Sequence, residues 1–251
     1  LDNFDNARIL VLGDFILDEY VFGEITRVSR EAPVLILKYQ ETKTCPGGGA
    51  NTVANIASLG ANVIPLGAIG DDAPAEQLMA LWPDGAVEKK FVVRDPDIRT
   101  TRKARLLAGS FHSYQQQVVR LDFESAPALS EEVEQKVVDS LRRTLPDADI
   151  LVISDYSLGN LTATVREQAL RFAQELEVPV IVDSRDHPQK YPGATTVTPN
   201  ISEIEKTLDI KIGRDLEKLE SVCGKLLGEW DLSSLLVTRG RLGLSLISSA
   251  Q

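Results

Sequence analysis

The pattern of apolar and polar positions along the chain predicts strands that alternate with helices. Short apolar or β-branched runs recur near residues 8, 62, 150, 178, 195 and 234 and alternate with segments of helical periodicity. Residues 131 to 145 repeat apolar side chains at four-residue spacing behind Ser130, a candidate N-cap, and residues 214 to 228 carry a similar apolar stripe of helical periodicity. Strands joined by helical crossovers pair in parallel. We therefore predict one α/β domain over residues 1–251, built on a doubly wound, mostly parallel sheet.

Two stretches break this alternation. Residues 20 to 40 and 98 to 124 carry alternating polar positions and little helical signal, which is typical of β ribbon. They can pair as a small accessory sheet beside the main domain. Such a sheet would form a lid over the carboxyl ends of the parallel strands, where open α/β folds bind ligands.

Composition and charge narrow the classes of partner. A chain of 251 residues with 43% hydrophobic residues can bury a sizeable core, and its formal net charge of −10 disfavours nucleic acid or an anionic membrane as a partner. The two cysteines, Cys45 and Cys223, show no disulfide or zinc spacing, so a reducing cytoplasm fits best. The sequence has neither an apolar run long enough to span a bilayer nor the order of a signal peptide, so we expect a cytoplasmic protein.

Carboxylates and glycines follow the first strand. Asp14 and Asp18 stand at its carboxyl end, where a carboxylate can accept hydrogen bonds from sugar hydroxyls or can cap its own backbone in a turn. A run of three glycines, Gly47 to Gly49, precedes Asn51 at a predicted helix start. Such a run lets the backbone approach an oxygen-rich ligand closely, or it forms a tight turn that binds no ligand. The run matches neither a Walker P-loop nor a spaced dinucleotide fingerprint, so a Rossmann oxidoreductase is disfavoured.

Basic residues cluster in the second ribbon. Strand alternation places Lys103 and Arg105 on one face, and Arg120 follows across a predicted hairpin. A cationic pair of this kind can bind a substrate phosphate, or it can protect a solvated edge strand from aggregation.

Later strands end in further polar residues. Asp155 and Asp183 reach the same edge of the sheet, where they can orient metal-bound water and phosphate or serve as helix N-caps. Asn200 and Glu203 form a capping-box pattern at a predicted helix start. The run from Val237 to Gly243 predicts a hairpin between strands 234 to 238 and 244 to 248. His112 and His187 are solitary, and we assign them no role.

Taken in order, these motifs resemble the ribokinase-like (PfkB) carbohydrate kinases over nearly the whole chain. The order GDxxxD, then PGGxAN opening a helix, is similar to the N-terminal signature of that family. The segments RVSREAPV, RLDFE and PGGGANTVANIASLGANV resemble its heptose-phosphate kinase branch. The family often has lysines in motifs DYxKG and DPK, whereas this chain has Leu158 at the first point and Arg185 at the second.

The resemblance implies roles for individual residues. Asp18, Gly47, Gly48 and Asn51 would hold sugar hydroxyls, and the ribbons would form the lid. Asn200 and Glu203 match an NxxE motif that organises Mg²⁺ and nucleotide phosphates, with Glu203 acting on the metal through water. The turn VTxGxxG would approach the ATP through Thr238, Gly240 and Gly243. With Asp155 and Asp183, these form the predicted ATP and Mg²⁺ site.

The resemblance also implies an ATP-dependent kinase that acts on a sugar or sugar phosphate, with a heptose 7-phosphate at its anomeric hydroxyl as the favoured substrate. A homodimer through the lid is expected. The family's catalytic aspartate stands in a GAGD motif, which these 251 residues do not contain, so we expect the chain alone to be inactive. A longer parent protein, a deliberate truncation and a catalytically dead relative remain open, and the alternative function is a non-catalytic module that binds sugar phosphates or dimerises.

Overall fold

The computed structural model describes residues 4–109, 115–124, 129–186 and 188–248. The strands are β1 (Arg8–Gly13), β2 (Phe15–Val28), β3 (Leu35–Gly48), β4 (Asn62–Gly70), β5 (Val92–Asp95), β6 (Thr101–Gly109), β7 (Gln116–Phe123), β8 (Ile150–Asp155), β9 (Val180–Ser184), β10 (Thr196–Val197), β11 (Ser234–Thr238) and β12 (Leu244–Ser248). The helices are α1 (Gly49–Ser58), α2 (Ala73–Ala80), α3 (Glu131–Thr144), α4 (Ala163–Glu175), α5 (Ile201–Leu208) and α6 (Leu216–Glu229). The six strands predicted from apolar runs correspond to β1, β4, β8, β9, β10 and β11.

The large sheet has the strand order β12-β11-β10-β9-β8-β1-β4-β5. Its neighbouring strands pair in parallel, except that β11 and β12 are antiparallel. From β1 the chain adds strands first on one side, through β4 and β5, and then on the other, through β8 to β12. The strand order therefore reverses between β1 and β8. Open α/β sheets bind ligands at the carboxyl ends of strands beside such a reversal.

Helices cover both faces of this sheet, and the alternation along β1 shows why. Leu10 and Leu12 belong to one buried cluster with apolar residues of α3, α4, α5 and α6. Ile9 and Val11 face the other way and pack with residues of α1 and α2. Leu10 is fully buried, so truncation to alanine would cost about 2 to 5 kcal/mol. The doubly wound prediction is confirmed.

Side-chain caps define the starts of the predicted helices. Ser130 caps α3 by accepting a hydrogen bond from the N–H of Val133 at 3.3 Å, as the sequence predicted. Asp215 caps α6 in the same way through the N–H of Lys218 at 3.0 Å. In the described part of the chain, no helix combines the length and apolar character needed to cross a membrane.

The two predicted ribbons form a separate sheet with the order β3-β2-β6-β7. Strands β2 and β6 are parallel, whereas β3 and β7 pair antiparallel to their neighbours. The strands differ from the predicted bounds, because β2 already begins at Phe15 and β3 continues to Gly48. Only Asp14 separates β1 from β2, and the glycine run completes β3 by pairing with Phe15 and Ile16. The small sheet is thereby rooted at the carboxyl end of β1.

Candidate active site

A cleft of about 400 Å³ lies between the small sheet and the carboxyl-terminal edge of the large sheet. Pairing in register places Lys103 beside Asp18 and Arg105 beside Tyr20, so these side chains share the face of the small sheet that lines the cleft. The structure brings all six residues of the predicted substrate site into this lining: Asp18, Gly47, Gly48, Asn51, Lys103 and Arg105.

Asp18 is held in place from two sides. Its Oδ1 accepts a hydrogen bond from Nη1 of Arg105 at 2.5 Å, and both side chains are largely buried. The Arg105 guanidinium also lies over the ring of Tyr20, with 5.2 Å between Cζ and the ring centroid. On the other side, a Cβ at Gly47 would stand 2.6 Å from Oδ2 of Asp18. A side chain at position 47 would therefore displace the Asp18 carboxylate.

Gly48 is required for a different reason. Its φ of 54° lies in the left-handed region, and a Cβ there would stand 2.8 Å from the carbonyl oxygen of Asp14. The next residue, Gly49, donates its N–H to the same oxygen at 2.9 Å and begins α1. This turn places Asn51 in the first turn of α1, at the wall of the cleft.

The cleft is strongly cationic for an acidic protein. Among the described residues, its lining contains four basic side chains, Lys103, Arg105, Arg120 and Arg185, and one carboxylate, that of Asp18. Arg120 lies directly opposite Arg105 in the register of β6 and β7. Like charges in that position repel each other, and ion pairs with Asp18 and Asp122 offset the repulsion. Such a lining suits a negatively charged, oxygen-rich ligand.

Asp14 organises the loop that closes one side of the cleft. Its buried carboxylate accepts hydrogen bonds from the backbone N–H groups of Tyr156 at 2.8 Å, Leu158 at 3.1 Å and Asn160 at 3.1 Å. Burial raises the pKa of Asp14, and these hydrogen bonds offset part of that rise. Asp14 thus caps a loop far away in sequence, and Tyr156 is held at the cleft wall.

Asp155 lies inside the protein at the end of β8. Its carboxylate accepts hydrogen bonds from the N–H of Ser157 at 2.9 Å, the hydroxyl of Ser184 at 3.1 Å and the hydroxyl of Tyr191 at 2.7 Å. Burial, and then the charge of Asp155, raise the pKa of Tyr191. These contacts tie β8 to β9, and the role predicted for Asp155 toward ATP and Mg²⁺ stays a prediction.

The pattern at Asn200 and Glu203 forms a capping box at the start of α5. The Asn200 Oδ1 accepts from the N–H of Glu203 at 2.9 Å, and Glu203 Oε2 accepts from the N–H of Asn200 at 2.8 Å. Desolvation raises the pKa of Glu203, and the charges of Asp183 and Asp186 raise it further, whereas the Asn200 N–H and Arg185 lower it. The carboxylates of Asp183 and Asp186 are smaller causes of the raised pKa than burial, and together with Glu203 they form an acidic region.

This region fits a magnesium ion held mainly through water. Within the described ranges, no three His, Cys, Asp or Glu side chains are close enough together to hold a metal directly. Magnesium commonly binds proteins through one or two carboxylates, with water and substrate phosphates completing its octahedral shell. Glu203 and Asp183 are therefore suited to contact such an ion through its water molecules.

A second cleft of about 410 Å³ lies next to the capping box. Asn200, Thr238 and Gly240 line it, together with Arg239 and other residues of the β11–β12 turn. Gly240 and Gly243 both have positive φ, and their backbone closes the turn, with the Gly243 N–H donating to the Gly240 carbonyl at 3.1 Å. The predicted hairpin is confirmed. Gly243 and Glu203 lie beside this cleft without lining it.

Some lining residues of the first cleft were not assigned from the sequence. Tyr20 and Cys45 could have been found by alternation, because each shares a strand face with Asp18 or lies opposite it in register. Tyr156 follows Asp155 directly but gave no signal of its own. His112 and His187 fall outside the described residues.

The chain is similar to curated bacterial proteins. It is 38% identical over 250 residues to the bifunctional protein HldE of Gluconobacter oxydans, an alignment that covers 98% of this chain and 50% of that protein. It is 36% identical over 246 residues to HldE of Citrifermentans bemidjiense, covering 98% of this chain and 49% of that protein. The chain therefore spans about half the length of the curated relatives it matches.

Solved structures share the fold at low identity. The structure of Arabidopsis thaliana ribokinase complexed with ribose and ATP matches with a TM-score of 0.72 and 18% identity, over 98% of this chain and 75% of that one. Phosphofructokinase-2 from Escherichia coli in complex with fructose-6-phosphate matches with a TM-score of 0.76 and 20% identity, over 98% and 78%. The model of the pfkB family of carbohydrate kinases matches residues 6–251. Together with the sequence relatives, this match shows that the chain belongs to the pfkB carbohydrate kinase family.

Proposed function

We propose that this chain provides the sugar-kinase activity of an enzyme that transfers the γ-phosphoryl group of ATP to heptose 7-phosphate. The acceptor is the anomeric hydroxyl, so the product is a heptose 1,7-bisphosphate. The observation that carries this proposal is the charge of the first cleft, where the described lining has four basic side chains and one carboxylate in a protein of net charge −10. The carboxylates of Asp122 and Glu124, which pair with Arg120 and Lys103, are not among the described residues that line the cleft, so the lining keeps an excess of cationic donors that suits a phosphate ester.

The sugar and its phosphate would occupy different parts of this cleft. Asp18 accepts hydrogen bonds and suits paired sugar hydroxyls, and Asn51 at the start of α1 can both donate and accept. Gly47 and Gly48 let the backbone approach the ring closely. Lys103 and Arg105 are the predicted phosphate contacts, and Arg105 also fixes Asp18. The small sheet would then act as the lid predicted from the sequence.

ATP and Mg²⁺ would occupy the second cleft and the acidic region beside it. Bound there, ATP supplies the γ-phosphoryl group. The γ-phosphorus forms a bond to the sugar hydroxyl oxygen while the bond between the γ-phosphorus and the bridging oxygen breaks and ADP leaves. The proton of the hydroxyl passes to a carboxylate base. Within this chain, Asn200, Glu203 and Asp183 would hold the metal through water. Thr238, Gly240 and Gly243 would shape the nucleotide site, and Asp155 would fix the strand ends.

A direct assay of the full-length protein tests the proposal. Incubation with MgATP and heptose 7-phosphate should give a second phosphorus resonance for a glycosyl phosphate in ³¹P NMR. The variant Asp18→Asn should lose about a hundred-fold in kcat/KM, because a misplaced or weakened substrate contact costs about that much. Asp139→Asn, the same substitution at an exposed position on α3, is the matched control and should retain full activity. Equal turnover of the unphosphorylated heptose would contradict the proposal.

We also propose that the small sheet forms a homodimer interface. Large apolar side chains on its strands are exposed, among them Val28 at 58% and Tyr39 at 65%. Exposed strand edges and apolar patches favour association with a second copy. Tyr39→Glu should shift the full-length protein toward monomer in analytical ultracentrifugation, and an unchanged sedimentation coefficient would refute this interface. A reducing cytoplasm remains the predicted compartment, and Cys45 and Cys223 are free thiols.

A further inference from the structure

The ring of Tyr20 supports the arginine that holds Asp18. Tyr20 and Arg105 lie side by side in the register of β2 and β6, and Cζ of Arg105 lies 5.2 Å from the centroid of the ring. The edge of the same guanidinium donates to Oδ1 of Asp18 at 2.5 Å and to the carbonyl oxygen of Lys103 at 3.4 Å. The guanidinium is therefore held over its face by a ring and along its edge by two oxygens.

The ion pair needs this support because it lies in an open cleft. The side chains of Arg105 and Asp18 remain 20% and 18% exposed. An arginine has many rotamers, and an ion pair in contact with water stabilises a single arrangement only weakly. A ring beneath the guanidinium attracts the charge, excludes water from one face and removes alternative rotamers. The position of the Asp18 carboxylate thus depends on an aromatic residue that does not touch it.

Tyr20 is itself held by a third strand. Desolvation raises the pKa of the Tyr20 hydroxyl, the charge of Arg105 lowers it, and a hydrogen bond with the Cys45 thiol adds a smaller rise. Cys45 lies on β3, opposite Asp18 in the register with β2. Contacts of Tyr20 therefore reach from β3 to β6 across the face of the small sheet that lines the cleft.

The small sheet carries a similar arrangement on its other face. Arg102 forms an ion pair with Glu19 at 2.8 Å, and its Cζ lies 4.0 Å from the centroid of the Phe123 ring. Strand alternation directs these side chains away from Asp18 and Arg105, and none of the three is among the described residues that line the cleft. This second arrangement supplies a control with the same kinds of contact outside the sugar site.

We propose that Tyr20 is a positioning residue of the sugar site, whose ring keeps Arg105 on Oδ1 of Asp18 so that Oδ2 stays directed toward the sugar hydroxyls. Oδ2 is the oxygen that lies beside the backbone of Gly47 in the cleft lining. A carboxylate oriented before the ligand arrives loses less freedom when it binds paired hydroxyls. The inference rests on the proposed function and adds a residue that acts through Arg105 without touching the substrate.

Separate calorimetric titrations of the full-length protein with heptose 7-phosphate and with MgADP test this role. Tyr20→Leu removes the ring and should weaken binding of heptose 7-phosphate about five- to twenty-fold, the scale of a partly desolvated cation–π contact, while MgADP stays within about two-fold. Tyr20→Phe keeps the ring and should bind both ligands within about three-fold of wild type. Phe123→Leu removes the ring beneath Arg102 and should leave both affinities unchanged.

A double variant shows whether the effect passes through Asp18. Once Asp18→Ala has removed the carboxylate, Tyr20→Leu should weaken heptose 7-phosphate by less than about two-fold. A full further loss would mean that Tyr20 contacts the substrate or acts on its phosphate through Arg105, and would overturn the inference.

Three other results would also overturn it. They are an equal loss for MgADP, a wild-type affinity in Tyr20→Leu, and a loss in Tyr20→Phe as large as that expected for leucine. The phenylalanine variant keeps the test valid if the leucine variant does not fold, because a hydroxyl that contacts the sugar would show as lost affinity. Failure of the proposed function shows separately, as a wild-type protein that does not bind heptose 7-phosphate, and it would remove this inference as well.

Discussion

Replacing Gly47 with alanine tests how the glycine run and Asp18 work together. The added Cβ would stand 2.6 Å from Oδ2 and 2.8 Å from Cγ of Asp18. The carboxylate would have to retreat by about 0.8 Å to reach an ordinary contact distance. It cannot do so freely, because Arg105 holds its other oxygen at 2.5 Å. Gly47→Ala should therefore displace the carboxylate that is proposed to receive the sugar hydroxyls.

The displacement should reduce affinity far more than stability. A misplacement approaching 1 Å can cost about a hundred-fold, so heptose 7-phosphate should bind the full-length Gly47→Ala variant about 10 to 100 times more weakly in calorimetric titration. Gly47 does not have a positive φ, so alanine can adopt its backbone conformation and the thermal midpoint should change little. Gly224→Ala is the matched control, since a Cβ in the middle of α6 would contact nothing within 4 Å. It should increase stability by about 0.5 to 1 kcal/mol and leave binding unchanged.

A double-mutant cycle decides whether the effect passes through Asp18. Once Asp18→Ala has removed the carboxylate, the Cβ at position 47 has room, so Gly47→Ala should have almost no further effect on affinity. Residues in direct contact show such non-additivity. If the losses instead multiply in the double variant, or if Gly47→Ala binds like wild type, the steric reasoning is refuted.

Three further changes address the loop, the metal and the acid response. Asp14→Asn should lower the free energy of unfolding in urea by about 2 to 4 kcal/mol, because an amide cannot accept all of the hydrogen bonds that Asp14 receives. A loss of unfolding free energy smaller than that of a surface Asp→Asn change would contradict the role of Asp14 in holding the loop. Glu203→Gln should raise the Mg²⁺ concentration needed for half-maximal activity several-fold while KM for the sugar phosphate stays constant, and a changed sugar KM alone would argue against a metal role. Desolvation acts to raise the pKa of Asp72, but hydrogen bonds from Thr100 and the N–H of Ala75, together with Arg94, lower it overall. The stability that Asp72 contributes is therefore present above its unfolded pKa of about 3.9 and is lost as pH falls through the lower folded pKa. Thr100→Val should accordingly lower the free energy of unfolding most at neutral pH. A difference in unfolding free energy that does not depend on pH would refute this linkage.

The large sheet could be predicted because its strands are buried on both faces. Leu10 and Ile9 point in opposite directions, yet both are covered by helices, so β1 appears in the sequence as a continuous apolar run. Local hydrogen bonds made the helix starts predictable as well. Ser130 and the pair Asn200 and Glu203 contact backbone atoms only three residues away, so their spacing in the sequence carries the information.

The small sheet was harder to predict because its partners are distant in sequence and partly exposed. Asp18 and Arg105 are 87 residues apart, and the parallel pairing of β2 with β6 that joins them has no local signature. The buried role of Asp14 escaped prediction for the same reason, since its donors lie more than 140 residues away. A carboxylate at the end of a strand looks the same in sequence whether it faces a ligand or a loop.

Pairing between charges explains how an acidic chain can hold a cationic cleft ready for a phosphate. Isolated basic groups at this density would repel one another, and Arg105 and Arg120 face each other directly. Carboxylates on the same sheet hold them in place, so an arriving phosphate finds donors whose orientation is already fixed.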